Sequence, residues 1–191
     1  TSRGLGDVYK RQLAALVLGT TIFFVIFIFG AGFSFAAMAL ISTANTEDDT
    51  TKIRRITRMA LWLSLAFGLV VSPFFVFSEW LLLLLGQEAN LAVLASRYLI
   101  FAGIAIFPAL GSSVLRCYLA GMEYVKVTFY ISIIAVLLNL LINSLLVFGL
   151  LGLPELGIIG AGVATVFVNL FMFISFLFYA KIKLPNHNLF I

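Results

Sequence analysis

Two pairs of polar residues lie within otherwise apolar stretches of the sequence. Asn139 and Asn143 are four positions apart, and Thr165 and Asn169 repeat that spacing further along the chain. In a helix, residues at i and i+4 project from one face, so each pair presents its polar groups together. Amide oxygens can bind a cation, and amides can hydrogen-bond a neighbouring carboxylate. The alternative is structural hydrogen bonding between helices, worth about 0.6 to 2 kcal/mol per contact.

The composition places these pairs in a membrane protein. Of the 191 residues, 63% are hydrophobic and only 10% are charged, against roughly 25% charged residues in a soluble domain. The net charge of +4 does not indicate a nucleic-acid partner, because the basic residues lie in short loops beside apolar runs. The single cysteine, Cys117, excludes an intramolecular disulfide, and His187 is the only histidine. We expect neither a bound cofactor nor a metal site.

Five apolar runs are long enough to cross a bilayer, which requires roughly 20 residues of helix. Because backbone groups in lipid must be paired within the segment, and no period-two pattern is present, these runs predict helices rather than barrel strands. A shorter apolar stretch beginning at Trp80 predicts an interfacial helix. The sequence therefore predicts an all-α integral membrane protein, a bundle with transmembrane helices at about 13–43, 59–77, 91–119, 127–150 and 157–179.

The distribution of lysine and arginine predicts the orientation of these helices. Basic residues lie in the loop between the first two runs, between the third and fourth, and in the tail 181–191. The other two loops, which follow the second and the fourth runs, together hold only one basic residue, Arg97. We therefore expect the three basic regions to be cytoplasmic, and the loops around Gln87 and Glu155 to face outward, in a multi-pass protein of a bacterial-type inner membrane.

Small residues within the runs predict places where helices pack closely. Gly160 and Ala164 form a small-xxx-small face in the fifth run. Gly30 and Gly32 are expected to allow close helix contact in the first run.

The first twelve residues depart from this pattern, because Arg3, Lys10 and Arg11 would lie on the outer side. The string "DVYKRQ" resembles a translated transposon end from DNA library preparation. We predict that residues 1–12 are a cloning or sequencing remnant and that the native protein begins further upstream. The alternative is a native segment at the membrane surface, but it lacks an apolar face at helical spacing.

Residues 13–180 resemble the multidrug and toxic compound extrusion (MATE) transporters. The resemblance rests on six segments in order: "LAALVLGTTIFF", "KIRRITRMALWLSL", "LLLLLGQEANLAVLASRYL", "LRCYLAGMEYVKV", "LLNLLINSLLVFG" and "LPELGIIGAGVATVFVN". It implies two lobes of six helices each, of which this chain would supply helices two to six of the first lobe. The first helix and the second lobe would then be missing partners, and the tail 181–191 would begin the connection between the lobes.

The resemblance also implies a role for the first polar pair. In this family the fifth helix carries an Asn followed four residues later by Asn or Asp, beside a first-helix carboxylate that handles the coupling sodium ion or proton. Asn139 and Asn143 occupy those two positions. An amide at the second position cannot change its charge, so the coupling role would fall to the missing first helix or second lobe. The sequence does not distinguish sodium from the proton as the coupling ion.

Three classes of function follow. The first is an antiporter that exports amphipathic or cationic compounds in exchange for sodium ions or protons. The second is a flippase of the same superfamily for lipid-linked oligosaccharide or lipid II, which would carry cationic residues in its central cavity. No such residue lies mid-span. The third is a membrane enzyme or a structural subunit. An enzyme requires clustered acids, histidines or a nucleophile and base, and the sequence shows no such cluster, so we predict a transporter.

Overall fold

Six helices make up the described part of the chain. The computed structural model describes residues 2–149 and 155–183, and five of its helices are long and apolar enough to span a membrane. These findings confirm the predicted all-helical class with five membrane spans. The predicted turn through 150–154 and the tail beyond 183 lie outside the described residues. The helices are α1 Ser2–Thr46, α2 Thr50–Val76, α3 Ser78–Leu84, α4 Ala89–Gly121, α5 Val125–Phe148 and α6 Gly157–Lys183.

The helix ends follow local sequence signals. The Asp49 carboxylate accepts a hydrogen bond of 2.9 Å from the Lys52 backbone N–H and so caps the start of α2. At the end of α5, Gly149 adopts a left-handed φ of 64°, which glycine reaches without steric penalty. Helix α1 begins at Ser2 and continues without interruption into the predicted first span. Whether residues 1–12 belong to the native protein stays a prediction.

Helix α4 forms the centre of the bundle. In its most apolar 18-residue window 72% of residues are buried, compared with 17% for α1 and 6% for α5. Tyr98, Leu99 and Ile106 of its first half belong to one apolar cluster, and Leu115 and Leu119 of its second half belong to another. Helices α1 and α6 both pack along α4 but touch each other at few positions. A cleft therefore separates α1 from α6.

Glycine allows α5 and α6 to pack closely. A Cβ atom on Gly160 would lie 2.6 Å from the Leu146 carbonyl oxygen, which also accepts a hydrogen bond of 3.0 Å from the Leu156 N–H. Gly30 is similarly enclosed, with Leu110 and Phe67 within 2.9 Å of its added Cβ. The structure therefore confirms the close helix contact that the sequence predicted at Gly160 and Gly30. For Gly32 the prediction is wrong within residues 2–149 and 155–183, because no atom there lies within 4 Å of its added Cβ.

Candidate functional site

A cavity of about 510 Å³ lies between α1, α4, α5 and α6, at the end of the bundle where α1 enters the membrane. It contains three of the four polar residues singled out from the sequence, namely Asn139, Asn143 and Thr165. Its walls are otherwise mostly apolar, which is typical of small-molecule sites with a few orienting polar groups. The lining residues are Gln12, Leu13, Leu16, Thr20, Tyr98, Asn139, Leu140, Asn143, Ser144, Val147, Gly157, Ile158, Ala161 and Thr165.

The two asparagines form a hydrogen-bonded unit on one face of α5. The Nδ2 group of Asn143 donates to the Asn139 backbone carbonyl at 2.9 Å and to Oδ1 of Asn139 at 3.1 Å. Both side chains are half-buried. Within the described part of the chain, Oδ1 of Asn143 and Nδ2 of Asn139 have no hydrogen-bond partner. The pair therefore offers the cavity one free acceptor oxygen and one free donor group.

A second pair of polar residues lines the cavity from α4 and α6. The Tyr98 side chain is 2% exposed, and Tyr98 and Thr165 line the same cavity. The Thr165 hydroxyl donates to the Ala161 carbonyl at 2.9 Å. On the other side, the Tyr98 ring occupies the place where a side chain at position 19 would begin, since its Cδ1 lies 2.7 Å from a Cβ built on Gly19. The bond to Ala161 sets the direction of the Thr165 hydroxyl, and the contact at Gly19 holds the Tyr98 ring against α1.

The sequence did not indicate Tyr98, nor three other polar residues that line this cavity, Gln12, Thr20 and Ser144. A tyrosine in an apolar run has no local feature that distinguishes a cavity position from ordinary packing. Thr20 lies in the first apolar run, and its hydroxyl donates to the Leu16 carbonyl at 2.8 Å within α1. Gln12 belongs to the segment that we predict to be non-native.

Asn169 does not line the same cavity. Its Nδ2 group donates to the Thr165 carbonyl at 2.8 Å, and the residue lines a second cavity of about 240 Å³ between α1, α4 and α6. The structure thus brings Asn139, Asn143 and Thr165 together and places Asn169 one helical turn away, in a different space.

The cavity that holds the asparagine pair is rich in neutral oxygen atoms and is lined by no charged side chain. Hard cations such as Na⁺ prefer oxygen ligands, which the side chains of Asn143 and Thr165 carry. None of the residues that line the cavity is a carboxylate, an imidazole or an amine. The described residues also contain no group of three or more His, Cys, Asp and Glu side chains that could hold a metal ion. These amides and hydroxyls can therefore orient an ion or a carboxylate, but a compensating negative charge must come from another group.

The MatE family model matches residues 5–145. The chain belongs to the MatE family. This membership confirms the resemblance drawn from the sequence and places the chain among transporters, which are not enzymes. The chain is 41% identical over 166 residues to "Probable multidrug resistance protein NorM" of Rhizobium meliloti (strain 1021), covering 87% of this chain and 36% of the relative. A protein of the same name from Agrobacterium fabrum is 38% identical, with coverage of 94% and 38%.

Solved MatE structures share the fold. One, described as the "Inward-facing conformation of a multidrug resistance MATE family transporter of the MOP superfamily", superposes with a TM-score of 0.81 at 18% identity, over 91% of this chain and 39% of that chain. A second, the crystal structure of a MATE mutant, gives a TM-score of 0.79 at 20% identity, over 93% of this chain and 39% of that chain. The MatE chain described here spans between 36% and 39% of the length of these relatives and structures.

Proposed function

We propose that the intact MatE protein is a secondary active exporter, an antiporter that exchanges sodium ions or protons for amphipathic, often cationic, compounds. The observation that carries this proposal is the cavity shared by Asn139, Asn143 and Thr165 within a MatE fold. The relatives' name, "Probable multidrug resistance protein NorM", supports the substrate class. We place the intact protein in a bacterial inner membrane, where the surrounding lipids are its partners.

In this proposal the asparagine pair orients the coupling site rather than carrying its charge. The Asn143 side chain is held by its two hydrogen bonds to Asn139, so its free Oδ1 has a defined direction. That oxygen can bind Na⁺ or accept a hydrogen bond from a protonated carboxylic acid. The family resemblance supplies such an acid on a first helix, and we place that helix in the cleft between α1 and α6.

The cavity favours export over the flippase alternative. A flippase for an anionic lipid-linked sugar would be expected to present several cationic side chains to its substrate. The cavity that holds the asparagine pair is lined by none. A purely structural subunit would have no use for unpaired amide groups facing a cavity of about 510 Å³.

The proposed organisation places residues 13–180 in a partial N-terminal lobe and treats residues 1–12 as a remnant. Amplifying the locus from source DNA tests both statements. We expect an open reading frame that encodes a further helix ahead of Leu13 and a second lobe after Ile191. Finding the codons for residues 1–12 in place, directly after an initiation codon, would contradict the proposal.

Gradient-driven efflux tests the proposed activity. The protein encoded by the intact gene is reconstituted into liposomes loaded with ethidium, a flat organic cation, and efflux is followed by fluorescence. We expect an imposed inward sodium or proton gradient to accelerate efflux, and collapse of that gradient by an ionophore to remove the acceleration. Efflux at the same rate with and without either gradient would rule out ion-coupled antiport.

A further inference from the structure

Arginine side chains are concentrated on one face at the start of α2. Arg54, Arg55 and Arg58 follow the first turn of this helix, which begins at Thr50. Because a helix turns by about 100° per residue, these three positions lie within an arc of about 100° around its axis. One side of α2 therefore carries three guanidinium groups.

Two of these arginines have no partner in the described part of the chain. The side chains of Arg54 and Arg55 form neither an ion pair nor a hydrogen bond with any described residue. Arg55 is exposed and Arg54 is half-buried. Two acidic residues of the preceding turn are engaged elsewhere, because Glu47 and Asp49 both bond to Lys52, through its ammonium group and its backbone N–H. Their charges therefore do not pair with the two arginines.

An exposed apolar stripe continues from Arg55 along the same face of α2. Met59 and Trp62, four and seven positions after Arg55, are 65% and 70% exposed and lie on its side of the helix. Positions 59–76 of α2 span about 27 Å, close to the roughly 30 Å hydrocarbon core of a bilayer. Met59 therefore lies at the edge of the core, and Arg54 and Arg55 lie one turn outside it, at the level of the lipid headgroups.

We propose that the surface formed by Arg54, Arg55, Met59 and Trp62 binds an anionic phospholipid. The headgroup phosphate contacts the two guanidinium groups, whose N–H donors fit phosphate oxygens, and an acyl chain lies along Met59 and Trp62. Basic clusters beside a membrane helix attract anionic lipids. A free phosphate ion would use the arginines alone, whereas the apolar stripe beside them also fits an acyl chain. This inference does not depend on which compound the protein exports.

Quenching by brominated lipid tests the proposal. The protein encoded by the intact gene, with its other cysteines replaced, carries Ala66→Cys labelled with bimane, because Ala66 is exposed and lies on the same face of α2. It is reconstituted into phosphatidylcholine vesicles that contain brominated phosphatidylglycerol or, at the same mole fraction, brominated phosphatidylcholine. We expect stronger quenching by phosphatidylglycerol. Arg55→Gln should lower its apparent affinity about fivefold, and Arg54→Gln combined with Arg55→Gln roughly 25-fold.

Lys126→Gln is the matched control. Lys126 is exposed near the start of α5 and precedes Phe129 and Tyr130, which are 60% and 63% exposed, so it places a single base beside a similar apolar stripe. Its replacement should leave quenching at position 66 unchanged. Arg55→Lys should retain part of the preference for phosphatidylglycerol, because it keeps the charge but not the planar donor set. Thermal unfolding in detergent checks that the variants remain folded.

Four outcomes would overturn the proposal. The first is equal quenching of the wild type by the two brominated lipids, and the second is wild-type affinity in the folded double variant. The third is an equal loss of affinity in Lys126→Gln, which would show a general attraction to the charged surface instead of a site. The fourth is relief of quenching by inorganic phosphate but not by chloride at the same ionic strength, which would identify the phosphate ion alone as the ligand.

Discussion

The Nδ2 group of Asn143 donates hydrogen bonds to both the backbone carbonyl and the side-chain Oδ1 of Asn139, at 2.9 and 3.1 Å. Both bonds remain within α5, and no described residue of another helix hydrogen-bonds this pair. Structural hydrogen bonding between helices, the alternative that the sequence left open, is therefore not what these amides do in the described part of the bundle. The free groups of the pair face the cavity, where an ion or a carboxylate can contact them.

Tyr98 and Thr165 line the same cavity from α4 and α6, and we predict that their hydroxyls share a hydrogen bond, which should show as an energetic coupling across the cavity. We expect Tyr98→Phe and Thr165→Val each to lower the free energy of unfolding by about 1 kcal/mol, the usual net value of a buried hydrogen bond. The double variant should lose less than the sum, because both changes remove the same bond. The measurement is denaturant unfolding in detergent. Tyr130→Phe, at a site 63% exposed, is the control, and strict additivity would contradict the coupling.

Close contact between α5 and α6 predicts opposite responses at two glycines. Gly160→Ala places a Cβ 2.6 Å from the Leu146 carbonyl oxygen, so the helices must move apart, and overpacking of this kind costs about 1 to 3 kcal/mol. The Cβ of Gly32→Ala contacts no atom of the described residues within 4 Å, so this change should be neutral or stabilise α1 by up to about 1 kcal/mol through helix propensity. Thermal unfolding of the two variants compares them directly. Equal unfolding temperatures would contradict the packing described for Gly160.

The orientation predicted from basic residues is tested by cysteine labelling. In a Cys117→Ala background, cysteines replacing Lys52 and Lys181 should resist a membrane-impermeant maleimide in intact cells, because both lie on the predicted cytoplasmic side. Cysteines replacing Gln87 and Glu155 should react. Removal of the exposed Lys52–Glu47 ion pair, 2.8 Å long, should have little effect on stability, because water and salt screen the attraction between exposed charges. Labelling of position 52 from outside the cell would contradict the predicted orientation.

Much of this fold could be predicted because membrane spans are set by local composition. The five apolar runs were enough to predict the number of spans, and the spacing of Asn139 and Asn143 was enough to place them on one face. The role of Tyr98, the open surroundings of Gly32 and the separation of Asn169 from Thr165 could not be predicted. Each of these depends on which helix lies opposite, and the sequence of one helix does not specify its neighbour.

The cavity of about 240 Å³ between α1, α4 and α6 could not be predicted from the sequence either. Arg116 lies close to the end of α4 and was assigned from the sequence to a loop that reports orientation, whereas the structure makes it part of a cavity wall. Ser113 gave no signal, because a serine in a membrane helix usually bonds to its own backbone. Only the packed structure shows that the Ser113 hydroxyl has no such partner.

The central claim, that Asn139 and Asn143 serve ion-coupled transport, is tested by replacing each with Leu in the protein encoded by the intact gene. The control is Ser132→Ala, which removes a polar group of the same helix that bonds the Thr128 carbonyl at 2.7 Å and lines neither cavity. Leu has the same branched arrangement of side-chain heavy atoms as Asn, so we expect both Leu variants to assemble with unfolding temperatures close to wild type.

The deciding measurement is ethidium efflux from proteoliposomes under an imposed sodium or proton gradient, normalised to the amount of folded protein. We predict that Asn139→Leu and Asn143→Leu each lose the gradient-driven part of efflux by about tenfold or more, as expected when a charge-assisted contact is removed, while Ser132→Ala keeps the wild-type rate. Wild-type gradient-driven efflux in both Leu variants, or loss of efflux that only parallels loss of folded protein, would contradict the account and assign these asparagines to packing.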